Sequence, residues 1–138
     1  MNKSGTINIG VIGAGHLGNF HLKHLAEIPQ FSLVGFYDIN KTKAKEMEKL
    51  HEILHFESAE KLMESVDAVS IVTPTQNHFN TAILALELDS HVFIEKPITD
   101  NMNHARKLLQ IAGEKNKIIQ VTVTDTVFLD KENKRLNA

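Results

Sequence analysis

"INIGVIGAGHLG", residues 7–18, begins as a short apolar run suited to a buried strand and ends in glycines at 13, 15 and 18. The G-x-G-x-x-G spacing follows a predicted strand, residues 7–13, and opens a predicted helix, "HLGNFHLKHLAEI" (16–28). That placement gives the pattern a physical meaning. Gly13 permits a tight turn, Gly15 has no side chain to block a pyrophosphate, and Gly18 lets the helix pack closely on the strand. The free N–H groups at the helix start then face the phosphates, and the aligned peptide dipoles favour an anion there. Gly13, Gly15, His16, Leu17 and Gly18 are therefore candidate dinucleotide-binding residues. Along the helix, Leu17, Phe20, His24, Leu25 and Ile28 are spaced for one apolar face, and Pro29 ends it.

Asp38 lies twenty residues beyond Gly18, at the carboxyl end of a second predicted strand, "SLVGFYD" (32–38). An adenosine ribose belongs at that position, where a carboxylate accepts hydrogen bonds from the 2′- and 3′-hydroxyls. It also repels a 2′-phosphate: two unit charges ~4 Å apart at an effective dielectric of ~20 cost about 4 kcal/mol before screening. NAD is favoured over NADP on this ground, although Lys41 and Lys43 soften the repulsion. The competing reading of Asp38 is a helix cap before the lysine-rich segment that follows.

The strand–helix alternation continues along the chain. A second helix over 41–52 precedes a short strand at 53–56 and a helix at 58–65, where Ser58 makes half a capping box with Lys61 in the place of the usual glutamate. Strands at 67–72, 91–95 and 118–123 alternate with helices at 77–88 and 101–115. This order predicts an α/β doubly wound parallel sheet, a Rossmann fold, in which ligands bind beyond the carboxyl ends of the strands.

Composition narrows the possibilities. The chain has 138 residues, a formal charge of −2, 6% aromatic residues and no cysteine. Those values exclude a disulfide framework and a thiolate metal site, and they argue against nucleic-acid binding as the main task. Neither a signal peptide nor a run of ~18 apolar residues is present, so a soluble, cytoplasmic protein with no membrane partner is expected.

Two further signals follow the glycine turn: "TPTQNH" at 73–78, after the fourth strand, and "EKP" at 95–97, after the fifth. Together the three resemble the nucleotide-binding half of the glucose-fructose oxidoreductase, inositol dehydrogenase and rhizopine-catabolism family, Gfo/Idh/MocA, over about residues 5–121. The resemblance implies an NAD(P)-dependent dehydrogenase acting on a sugar, polyol or related hydroxyl or carbonyl compound. It implies that Thr73, Pro74, Thr75, Asn77 and His78 line the nicotinamide side of the cleft, with Glu95 and Lys96 beside the nicotinamide and its ribose. Lys96 is the candidate catalytic residue, positioning substrate or relaying its proton. An ammonium at the edge of an apolar strand suits that role, since partial burial lowers a lysine's pKa while Glu95 next door raises it. The plainer alternatives are a surface lysine before a turn and, for His78, a capping residue of its helix. His21 and His24 are expected to pack or to face solvent.

The likeness stops after Val121. Family members continue with a glycine, an arginine–aromatic pair and a second domain that carries a large open sheet and the main acid–base group, often a histidine. The expectation is a dinucleotide-binding domain over 1–123 and a divergent charged tail over 124–138, in a truncated chain that is inactive or weakly active alone. A small-molecule substrate would need a second domain. Two rival readings are a non-catalytic dinucleotide-binding sensor and a metal hydrolase built on "HEILH" (His51, Glu52 and His55). The latter needs both imidazoles on one helical face. The string straddles a predicted helix end and strand start, so the imidazoles should diverge and no metal site is expected.

Overall fold

A computed structural model of the chain describes residues 5–121. Its first strand, β1 (Ile7–Ile12), alternates sides as a pleated strand must. Ile9 and Val11 enter one core cluster and Ile12 the other. β1 pairs in parallel with β2 (Phe31–Tyr37) on one side and β4 (Ala68–Ile71) on the other. Adding β3 (Leu54–His55), β5 (His91–Ile94) and β6 (Ile119–Val121) gives one parallel sheet in the order β3-β2-β1-β4-β5-β6. The order reverses between β1 and β4, which opens a crevice at their carboxyl ends. The doubly wound parallel sheet read from the sequence is the observed fold.

Helices cover both faces. Leu22 and Leu25 of α1 (His16–Glu27) and Ala44 of α2 (Lys41–His51) pack with Ile9, Val11 and Phe36. On the opposite face, α3 (Ala59–Glu64), α4 (His78–Glu87) and α5 (Met102–Glu114) bury residues against Val69, Ile71, Val92 and Ile94. A register shift between Ile9 and Gly10 leaves Val34 of β2 as an extra residue. That bulge resets the alternation, so Leu33 and Phe36 both reach the α1–α2 side.

Side chains cap three helices: Asn40 accepts from the Lys43 amide, Ser58 from that of Lys61, and Asn101 from those of Asn103 and His104. The Ser58 half of the expected capping box is thus formed. α1 starts differently, with Gly15 in the capping position and no side chain to receive its first amides.

The face expected for α1 needs correction. Leu25 is buried, but Leu17 and Phe20 are 49% and 44% exposed, and the Phe20 ring packs tilted against His24 instead of entering the core. The buried stripe is Gly18, His21, Leu22 and Leu25. The glycine turn is the cause: a Cβ on Gly18 would stand 2.0 Å from the Gly13 carbonyl oxygen. That contact rotates the helix so that Gly18, and therefore His21 one turn later, face the sheet.

Among the described residues no helix is long and apolar enough to cross a membrane. Residues 122–123 of the expected sixth strand and the charged tail at 124–138 lie outside the described residues.

Candidate functional site

A cleft of about 830 Å³ runs along the carboxyl ends of β1, β2 and β4, within the size range of small-ligand sites. Gly13, Gly15, His16 and Leu17 from the first turn line it, together with Asp38 after β2 and Thr73, Pro74 and Asn77 after β4. The turn is built as its glycines require. Gly13 has φ +103°, and a Cβ there would crowd the Val72 carbonyl at 2.9 Å. At Gly15 a Cβ would meet nothing within 4 Å, so this position borders open space in the cleft.

The Asp38 carboxylate faces the same cleft and is anchored by the backbone. Its Oδ2 accepts from the Ala14 amide at 2.5 Å, inside the glycine turn, and its Oδ1 accepts from Asn40 at 2.7 Å. Each oxygen retains a second lone-pair direction. The predicted pairing of glycine turn and acid is therefore a direct contact. His55 packs beside it, its ring stacked on Tyr37 and its Nε2 3.3 Å from the Asp38 carbonyl oxygen.

Thr73 contributes a second feature suited to a ligand. Its Oγ1 is buried and, among the described residues, lacks a hydrogen-bond partner. Such an orphan is costly unless a bound group completes it. An uncapped helix start, open space at Gly15, an anchored carboxylate and an orphan hydroxyl thus surround one cleft, and they fit a dinucleotide.

Several expected residues are not in the cleft wall. Gly18 lies behind the turn, in its predicted packing role. Thr75 is in the 3₁₀ turn Thr75–Asn77 and does not line the cleft. His78 is the first residue of α4. It is 1% exposed, and its side chain neither caps α4 nor enters the cleft. Its Nδ1 lies 2.9 Å from the Pro97 carbonyl oxygen and its Nε2 2.9 Å from that of Thr73. Whichever nitrogen carries a proton finds a carbonyl to receive it, and the ring sits wedged between the loop after β4 and the loop after β5.

Glu95 and Lys96 follow β5 and part company. Glu95 is 9% exposed and accepts from His21 Nε2 at 3.0 Å, whereas Lys96 is exposed and joined to Pro97 by a cis peptide. Neither lines the cleft. Sequence reasoning missed His21, whose Nδ1 also lies 2.7 Å from Ser70 Oγ. The available signal was its place on one stripe with Gly18 and Leu25.

The H-E-x-x-H string makes no shared metal face. His51 ends α2 and bonds Asn19, Glu52 turns into a left-handed conformation, and His55 belongs to β3 beside Asp38.

Burial holds His21, His51 and His91 below the ordinary histidine pKa; for His21 the nearby Glu95 opposes that shift and does not overcome it. The unfolded chain, with histidines near 6.5, therefore binds more protons than the folded one around pH 6. These groups favour folding above about pH 6.5, and the contribution fades as pH falls below it. Urea unfolding midpoints should drop between pH 7.5 and 5.5, before the carboxylates titrate.

A family model described as the Gfo/Idh/MocA oxidoreductase family, NAD-binding Rossmann fold, matches residues 7–123. The chain belongs to this family. Among Gfo/Idh/MocA relatives, UDP-N-acetylglucosamine 3-dehydrogenase of Acidithiobacillus ferrooxidans is 41% identical over 112 residues, covering 81% of this chain and 35% of the relative. Its solved structure superposes with a TM-score of 0.81, covering 84% of this chain and 38% of the other. Myo-inositol 2-dehydrogenase of Thermotoga maritima is 31% identical over 107 residues, covering 75% of this chain and 32% of the relative. The chain therefore spans about a third of the length of the curated Gfo/Idh/MocA relatives it matches.

Proposed function

We propose that this domain binds NAD in the cleft beyond β1, β2 and β4 and serves an oxidoreductase that acts on a hydroxyl of a sugar or polyol. The observation that carries the reading is the Ala14–Asp38 hydrogen bond, which sets the phosphate turn and the ribose acid against each other in one cleft. The amides at the start of α1 would take the pyrophosphate, Asp38 the adenosine ribose, and Thr73, Pro74 and Asn77 the nicotinamide half. When bound, the nicotinamide supplies hydride acceptance. Lys96, at the end of β5, would orient the substrate hydroxyl or relay its proton. The sugar and polyol dehydrogenases among the relatives support the substrate class. The match covers only about a third of their length, and this chain by itself is expected to hold the dinucleotide and turn over weakly or not at all. The absence of cysteine fits a reducing cytoplasm.

The test is a titration of the purified chain with NADH, following nicotinamide fluorescence. A saturable change is expected; none at millimolar cofactor would overturn the reading. Asp38 sets the preference for NAD, since a 2′-phosphate would lie against its carboxylate while Lys43, on the same cleft, offers the opposite charge. After screening, the repulsion should be worth about 1–2 kcal/mol. Asp38→Ser is therefore expected to shift the NADPH-to-NADH affinity ratio toward NADPH by roughly 10-fold or more. An unchanged ratio would remove Asp38 from the selectivity argument.

A further inference from the structure

His21 lies in the core, one turn after Gly18, where an apolar residue would be the cheaper choice. Its ring spans two strands, meeting Ser70 Oγ of β4 at 2.7 Å and Glu95 Oε1, just past β5, at 3.0 Å. Strand alternation brings these partners to the α1 side: Val69, Ile71, Val92 and Ile94 point into the other cluster, leaving Ser70 and Glu95 to face α1. Glu95 also continues the sheet, its amide donating to the Ile71 carbonyl at 3.1 Å.

We infer that His21 is a positioning residue: backed by Ser70, it fixes the Glu95 carboxylate and thereby holds the strand end that presents Lys96, tying that end to the helix that opens on the phosphate turn.

The hydrogen-bond directions follow from the chemistry of the three groups. An ionised carboxylate only accepts, so the N–H of the ring belongs on Nε2, facing Glu95. Burial favours the neutral imidazole, which leaves Nδ1 as an acceptor, and Ser70 supplies the hydroxyl proton. Every member of the triad is then used: Ser70 fixes the tautomer, His21 fixes the carboxylate, and the backbone from Glu95 into Lys96 inherits a defined direction. A neutral core residue at 21 would fill the same volume and leave Glu95 buried without this donor. The link also runs between the two halves of the proposed site, because α1 begins at the glycine turn and β5 ends at Lys96.

The inference rests on the dinucleotide reading for its ligand readout only, and its test has a second readout that needs no ligand. In the 138-residue chain, His21→Leu, His21→Gln and Ser70→Ala would be compared by amide hydrogen exchange at Glu95, Lys96 and Ile98, with Val11 and Val69 as core references. Affinities for NADH and for ADP-ribose, which lacks the nicotinamide, complete the comparison. Loss of a hydrogen bond to a charged group should accelerate exchange at 95 and 96 by about 10-fold while the references stay slow. NADH affinity should fall by about as much, with ADP-ribose binding unchanged. Glutamine retains an N–H for Glu95 and should restore most of both; Ser70→Ala should give an intermediate effect. A residue that merely fills space would move the references, or both ligands, together. Unchanged exchange at 95 and 96 in the leucine and alanine variants would overturn the inference. If the parent chain binds neither ligand, the dinucleotide reading falls and exchange alone decides the role of His21.

Discussion

Replacing Gly18 by alanine is expected to cost the domain about 3 kcal/mol, whereas replacing Gly15 by serine should leave stability unchanged or slightly raised and yet abolish tight cofactor binding. The two glycines sit three residues apart in one motif, but their surroundings are opposite. A Cβ on Gly18 would stand 2.0 Å from the Gly13 carbonyl oxygen, a backbone atom that cannot move without opening the turn. The melting midpoint should therefore fall by roughly 10 °C. Gly15 has open space where its Cβ would be, an extended backbone at φ −72° and ψ −159°, and the capping position of α1. Serine is a better cap than glycine there, because its hydroxyl can accept from the free amides of the first turn. Those amides are the ones proposed for the pyrophosphate, so the new side chain both fills the cradle and occupies its donors. With two charge-assisted hydrogen bonds lost, NADH affinity should fall by about 100-fold or more. Calorimetry together with the fluorescence titration separates the variants. If Gly15→Ser binds NADH like the parent, the phosphates do not lie on this turn.

Local signals made most of the fold legible. The glycine spacing, the acid after β2 and the strand–helix alternation each depend on neighbours in sequence, and each appears where expected, down to the Ser58 cap. What sequence could not show depends on partners that only the sheet brings together. Phe20 looked like a core residue and His21 was expected to pack or to face solvent; Phe20 is 44% exposed, and His21 is buried on partners, Ser70 and Glu95, that lie 49 and 74 residues away. An imidazole is tolerated in the core only when both nitrogens are satisfied, and nothing near position 21 advertises that they are. The extra residue at Val34 is equally silent, since a bulge is a property of the pair of strands and not of either alone.

The candidate site divides the same way. Gly13, Gly15, His16, Leu17, Asp38, Thr73, Pro74 and Asn77 line the cleft, whereas Thr75, His78, Glu95 and Lys96 share its neighbourhood without lining it. The "TPTQNH" and "EKP" segments read as two separate ligand loops. In the structure they are mechanically one unit, with His78 wedged between them beneath the surface and Glu95 anchored from the other side of the sheet by His21. His78 and Glu95 thus brace the segments that carry Thr73 and Lys96.

His78→Ala is expected to damage both stability and the cleft. The ring is 1% exposed and is held at 2.9 Å from the carbonyl oxygens of both Thr73 and Pro97. Truncation strips the hydrogen-bonded carbonyl of its donor at a buried position, costing about 1–3 kcal/mol if water does not replace the imidazole, and adds a cavity where the ring was. A total of about 3–5 kcal/mol follows, which for a domain of this size lowers the melting midpoint by roughly 10 °C or more. The damage should also reach the cleft, because Thr73 lines it and carries the orphan hydroxyl. NADH binding to the folded fraction should weaken by about 10-fold as the Thr73 loop loses its tether. His78→Gln provides the control: one amide can still serve one carbonyl, so its stability should lie between alanine and the parent. A midpoint for His78→Ala within about 2 °C of the parent would mean that solvent reaches both carbonyls and that the two loops keep their places without the ring. The loop coupling would then have to be sought in the sheet alone, through the bond from the Glu95 amide to the Ile71 carbonyl.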